Sequence, residues 1–241
     1  MGFYDDWGRD PDNKKYMLDY LSKTVPSRDV LRNGSEKEVR GACDLLRSIP
    51  MGSFIDHMKE LPTGRLPQTD EIPQCGTLEK AICEVPQALA FAPNGLLCAE
   101  LGLRIGAEKG GDAPRKSGEG NGKLADAMDI ALRMKLPADS RTGFKYGYKI
   151  SSLGKYLLRY TEMNDKMDII ARLLAREYVA QVIIVSAMDG YASYDEAVSA
   201  LKSPATRMRR RQNVRRVISI IDSQITDGRS FYKYVDWDIR N

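Results

Sequence analysis

The chain has 241 residues, with 37 Lys+Arg against 33 Asp+Glu, a single His and four Cys, enough for one or two domains with their own cores. An apolar share of 42% with 29% charged residues excludes wholesale disorder. The longest apolar run, Val179–Met188, carries Gln181 and Ser186 and falls short of the ~20 residues a membrane span needs.

In chain order, residues 12–23 read as a helix that Pro26 stops. Ser35 and Glu38 form a capping box for a helix over 35–47, with Val39, Ala42, Cys43 and Leu46 at helical spacing and Pro50 after it. Residues 61–76 hold three Pro and two Gly and read as a linker. Leu78, Ala81, Ile82 and Val85 set an amphipathic helix that Pro86 ends or kinks, and 96–103 a short second helix closed by Gly106. The Gly-rich stretch 107–122 reads as a flexible excursion; it matches neither a dinucleotide-binding loop nor a P-loop. A third helix is expected over 123–135, from Leu124, Ala127, Met128, Ala131 and Leu132, before Pro137. Residues 141–150 alternate aromatic and basic side chains as a short hairpin would, and Ser151 starts another helix. A long helix over 165–185, a turn at Asp189-Gly190, a capped short helix from Ser193 to Leu201, a long helix over 207–225 opened by Ser203 or Thr206, and a strand over 231–237 complete the chain.

The expected fold is therefore mainly α with short β-hairpins. It divides into a helical N-terminal segment and linker (1–73), a first unit (74–161) and a second (162–241). Helix, short helix, helix, hairpin, helix is the element order of a winged helix-turn-helix, and the second unit repeats it more loosely.

Residues 1–73 carry a net charge of −2, residues 74–201 of zero and residues 202–241 of +6, so the surplus sits in the last forty residues. Within it, Lys202, Arg207, Arg209, Arg210, Arg211, Arg215 and Arg216 come without an intervening acid. Val214, Val217, Ile218, Ile221 and Ile225 supply an apolar stripe, while Arg209, Asn213 and Arg216 share a polar face. Arg pairs bidentately with guanine and Asn with adenine, so this helix is the expected reader. In the first unit, Lys123 and Arg133 stand on a face shared with Asp126 and Asp129. The expected wing adds Arg141, Lys145 and Lys149 among Phe144, Tyr146 and Tyr148.

Tyr148-Lys-Ile-Ser-Ser-Leu-Gly154 resembles the "Y-x-L-T-x-x-G" segment, and Ser203-Pro-Ala-Thr206-Arg-Met-Arg209-Arg210 the "S-x-x-T-x-x-R-R" helix, of DNA-recognition modules in some restriction endonucleases. The resemblance covers about residues 76–226 and implies tandem winged helix-turn-helix units that bind duplex DNA sequence-specifically. Arg209, Arg210 and Asn213 would be the foremost readers, supported by Arg207, Arg211, Arg216, Lys123, Arg133, Arg141 and Lys145. Double-stranded DNA is the expected partner, beside a separate nuclease or methyltransferase chain or a second copy of the protein, with no membrane. The expected role is recognition in a restriction or defence system, or transcriptional regulation.

No catalytic residue, metal site or cofactor is expected. Glu-x-Lys never occurs, and the one Asp-x-Lys, Asp12-Asn-Lys14, lies in a helical context, against a Mg²⁺-dependent restriction-type centre. A single His excludes a His-rich zinc site; His57-x-Lys59 resembles a phospholipase-D-type nuclease motif but has Gly64 where that motif wants Asp. A metal-independent phosphodiesterase and a protein–protein adaptor remain as alternatives. Cys43, Cys75, Cys83 and Cys98 form no C-x-x-C pair, and the apolar neighbours of Cys83 and Cys98 read as those of small core residues in a reducing, cytoplasmic compartment.

Overall fold

The computed structural model describes residues 27–56, 65–68, 71–72, 77–107, 118–136, 146–160 and 162–240. Most are helical, and the strands are few and short. Ser27 caps α1 (Arg28–Asn33) by accepting the Val30 N–H. The full capping box expected at Ser35 opens α2 (Glu36–Ser48): its hydroxyl accepts from Glu38 N–H while the Glu38 carboxylate accepts from the Ser35 N–H at 2.7 Å. The Ser35 hydroxyl, which also donates to that carboxylate, and the Ser35 N–H hold it below its ordinary value. After Pro50, α3 (Met51–Asp56) buries Met51, Phe54 and Ile55.

The helical run from Leu78 passes through a π-helical turn (Lys80–Glu84) into α4 (Val85–Ala90). Pro86 has no N–H to give and its ring crowds the carbonyl four residues back, so a wider turn just before it lets the run continue where the sequence allowed a stop. Gly95, at φ +84°, turns the chain into β1 (Leu96–Leu97), which leads directly into α5 (Cys98–Arg104). Gly106, at φ +56°, closes α5 as expected.

Two expectations fail next. The third helix is α6 (Glu119–Ala127), so its first turn lies inside the stretch read as a flexible excursion, and residues 131–135 are not helical but form β2 (Ala131–Lys135). The break is Asp129, which adopts φ +58° with its side chain fully buried between Arg32 and Arg176. A carboxylate that satisfies two guanidiniums holds the backbone in the left-handed region that ends the helix. Of the stretch expected as a hairpin over 141–150, the described residues form β3 (Tyr146–Ile150), which pairs with β2. Ala131 stands opposite Ile150 and Lys135 opposite Tyr146, while β1 flanks the other edge of β3, so the antiparallel sheet runs β1-β3-β2.

β3 feeds α7 (Ser152–Leu157), and here the quoted Ser-Ser-Leu-Gly segment has a structural cause. The Ser151 hydroxyl accepts the Gly154 N–H at 2.9 Å and lies 2.5 and 2.7 Å from the carbonyls of Asp129 and Ile130, to which it donates. A Cβ on Gly154 would sit 2.2 Å from the Ile130 carbonyl oxygen, so only glycine lets α7 approach the end of β2 this closely.

The long helix expected over 165–185 is two helices, α8 (Met163–Ala175) and α9 (Tyr178–Met188). Between them Arg176 reaches Asp129 at 2.8 Å, and Glu177 turns extended at ψ 129°. Gly190, at φ +103°, ends α9; β4 (Ala192–Ser193) then enters α10 (Tyr194–Ala197), where Ser193 accepts the Glu196 N–H. Helix, left-handed glycine, two-residue strand and short helix with Glu at its third position thus occur twice, around Gly95 and Gly190. The chain closes with α11 (Pro204–Ser223), a 3₁₀ turn (Tyr232–Tyr234) and β5 (Val235–Asp236). The strand expected over 231–237 is reduced to these two residues, which pair parallel with β4.

Buried side chains from Leu31 to Val235 make one contiguous apolar cluster. Ile72 is fully buried inside the stretch read as a linker, and its carbonyl accepts from Arg210. The helix expected over 12–23 lies outside the described residues, which contain no helix long and apolar enough to cross a membrane.

Candidate nucleic-acid interface

α11 has 20 residues and is about 30 Å long. Ser203 stands at its N-cap without a side-chain bond, and Pro204 occupies the first turn, where its missing N–H costs nothing. Val214, Val217, Ile218 and Ile221 bury one face, as the sequence stripe requires. Opposite them, Ala205, Met208, Arg209, Gln212, Arg216, Ser219 and Ser223 are exposed.

The cations divide between these faces, and most are turned inward. Arg207 pairs with Asp195 at 2.8 Å and donates to the Leu201 carbonyl at 3.0 Å. Arg210 is 2% exposed and donates to the Ile72 carbonyl at 3.1 Å, so a base edge is beyond its reach. Arg211 donates to the Trp237 carbonyl at 3.1 Å. Arg215 directs Nε and Nη2 at the Tyr232 hydroxyl, 2.8 and 2.6 Å away. Asn213 is half-buried. Lys202 and Arg209 are exposed and form no ion pair among the described residues; Arg216, also exposed, pairs with Glu79. Cations tied to carbonyls, a carboxylate and a tyrosine hydroxyl are a structural device, and Arg207, Arg210, Arg211 and Arg215 carry much of the C-terminal charge surplus in that way.

Gln212 is the residue the sequence reading missed. It lies three residues after Arg209 and four before Arg216, the spacing that stacks side chains on one helix face. Arg209, Gln212 and Arg216 together offer two guanidiniums and an amide along one exposed edge. Arg suits guanine O6/N7 or phosphate; Gln suits adenine N6/N7.

In the first unit the expected contacts are weaker. Lys123 pairs with Glu119 at 3.2 Å, and Arg133 approaches the same carboxylate at 3.7 Å with its guanidinium over the Tyr146 ring. Asp126 and Asp129, expected on the outward face, are drawn inward by Arg32 at 3.0 and 2.9 Å. Arg141, Lys145, His57 and Lys59 lie outside the described residues.

A cleft of about 220 Å³ beside α6 is lined by Arg28, Arg32, Lys123 and Arg133, but also by Glu71, Asp126 and Glu177. Burial pushes the Glu177 carboxyl up to about 7, against the pull of Arg28 and Arg176. Burial likewise raises Asp126 and lowers Arg176. Opposite charges face each other across this cleft, which makes it a tie between α1, α6 and the start of α9 and not an anion site.

No group of three or more His, Cys, Asp and Glu residues able to hold a metal occurs among the described residues. Cys43 is a buried free thiol that burial pushes up to about 12, far from a reactive thiolate, and Cys98, also buried, directs its Sγ at the Tyr146 carbonyl. The chain matches no family model, no curated protein and no solved structure.

Proposed function

We propose that this protein binds double-stranded DNA sequence-specifically through two winged helix-turn-helix-like units, residues 77–160 and 162–240, with α11 as the principal reader. Helix, strand, helix, helix, strand, strand with sheet order β1-β3-β2 supports a winged helix in the first unit. The recurrence of the glycine–strand–short helix turn before α11 supports a second helix-turn-helix, without a wing hairpin among the described residues. The observation that carries the reading is the exposed Arg209–Gln212–Arg216 edge on a long helix anchored by an apolar stripe. The accompanying role is target recognition in a restriction or defence system, or transcriptional regulation.

The test is selection from random duplexes, followed by fluorescence anisotropy on the enriched site. R209A is expected to weaken binding to that site by about 5- to 100-fold and to relax its preference at one position, with thermal stability unchanged. Affinity should fall steeply between about 50 and 200 mM salt as condensed counterions cease to drive association. No enrichment, or an affinity flat across that range, would overturn the reading.

A further inference from the structure

Beside the exposed edge of α11 lies an open groove of about 530 Å³, lined by Met167 of α8, by Gln212, Arg215, Arg216 and Ser219 of α11, and by Tyr232. No carboxylate is among the described residues that line it, unlike the charge-balanced cleft beside α6, although Glu79 pairs with Arg216 at its margin. Asp222, one turn further on, is turned to the N–H groups of Phe231 and Tyr232 and the Ser230 hydroxyl. Arg215 is fixed in orientation by its two bonds to the Tyr232 hydroxyl and by the Tyr232 and Trp237 rings, each 5.7 Å away. Its Nη1 makes no bond among the described residues, and neither does the Ser219 hydroxyl one turn beyond.

We infer that this groove is a phosphate site, held by Arg215, Arg216 and Ser219. A guanidinium already immobilised by an aromatic shelf loses little freedom on gripping an oxyanion, and a hydroxyl one turn away adds a second donor. Met167 and Ile220 give the groove an apolar part that offers no charge. Resting on the DNA reading above, the phosphate is one of the duplex backbone. Ten residues of helix separate Arg209 from Ser219, about 15 Å, more than the ~12 Å width of the major groove. With the first half of the exposed edge against base edges, the groove falls on the flanking strand. Glu79, paired with Arg216, is the carboxylate this phosphate displaces.

The experiment is anisotropy of the full chain with its selected duplex and with a random duplex over a range of salt, for wild type, S219D and E79Q, beside NMR titration with inorganic pyrophosphate. Ser219 is exposed, so S219D places a negative charge at the groove without touching the core. S219D is expected to weaken both duplexes by the same factor, about 10-fold, and E79Q to strengthen both. Pyrophosphate is expected to shift the amides of residues 215–219 in wild type and not in S219D. Duplex binding unchanged by S219D would overturn the groove and leave the DNA reading standing. A wild type that binds no duplex, yet loses its pyrophosphate response in S219D, would retain the phosphate site and overturn the DNA reading. Neither duplex binding nor a pyrophosphate response would overturn both.

Discussion

Arg209 and Arg210 are adjacent in sequence and opposite in placement, one exposed and one buried, and replacing each by Ala tests the roles proposed for them. Arg210 is 2% exposed and donates to the carbonyl of Ile72, itself 1% exposed. R210A removes a charge-assisted hydrogen bond worth about 1.5–3 kcal/mol and leaves a buried carbonyl without that donor. Losing the packed aliphatic stem brings the expected cost to about 3–4 kcal/mol. For a chain of this size each kcal/mol moves the melting temperature by about 2–4 °C, so a drop of roughly 6–16 °C is expected. R209A, on the exposed face, should move it by about 1 °C or less. Differential scanning fluorimetry and urea titration measure the stability, and anisotropy on the selected duplex, below the melting range, measures the affinity. R210A should be unstable with near-native affinity while it remains folded; R209A should be stable with weakened affinity. An R210A protein that melts with wild type and loses DNA affinity as R209A does would refute the inward assignment.

Glu177 supplies a pH dependence. Its carboxyl titrates near 7 in the folded chain, against an ordinary 4.5, because burial outweighs the neighbouring arginines. Between those values the folded state holds a proton that the unfolded state has released, so stability falls as pH rises from about 4.5 to 7 and is level above. The effect is at most about 3 kcal/mol; E177Q should flatten that slope in urea titrations across the window, and a variant with the full wild-type slope would contradict the assignment. Gly122 faces the ring of fully buried Tyr148, and a Cβ there would lie 2.4–2.7 Å from ring atoms. Against a gain of up to about 1 kcal/mol in helix propensity, G122A is expected to cost about 1–2 kcal/mol net by overpacking, and a raised melting temperature would show that α6 has room to shift.

Local signals were legible where they decide the outcome locally. The Ser35–Glu38 box, the glycine stops at 106 and 190 and the apolar stripe of α11 stand where spacing and capping chemistry put them. Spacing failed between 123 and 135, because Leu124, Ala127, Met128 and Ala131 satisfy a helix while the break at Asp129 is imposed by Arg32 and Arg176, 97 and 47 residues away. The same long-range tie splits α8 from α9, since a continuous apolar pattern carries no mark of a guanidinium recruited elsewhere. For the site, a run of arginines signals charge but not direction. Arg210 could have been placed: it lies four residues before Val214 and seven before Val217, on the buried stripe itself. The acceptors for Arg210 and Arg211, the carbonyls of Ile72 and Trp237, could not, because they arrive from 138 residues before and 26 after.

Those inward arginines bear on the order in which the chain is made. Arg172 donates to the carbonyl of Ile49 across 123 residues, as Arg210 does to Ile72 across 138. During synthesis the early carbonyls emerge long before their donors, so neither end matures alone. Closing contacts of such span makes folding slow, and it ties completion of the last long helix to a segment near the beginning. Any shortened form that begins beyond residue 72 would take away one carbonyl acceptor from each of these two buried guanidiniums.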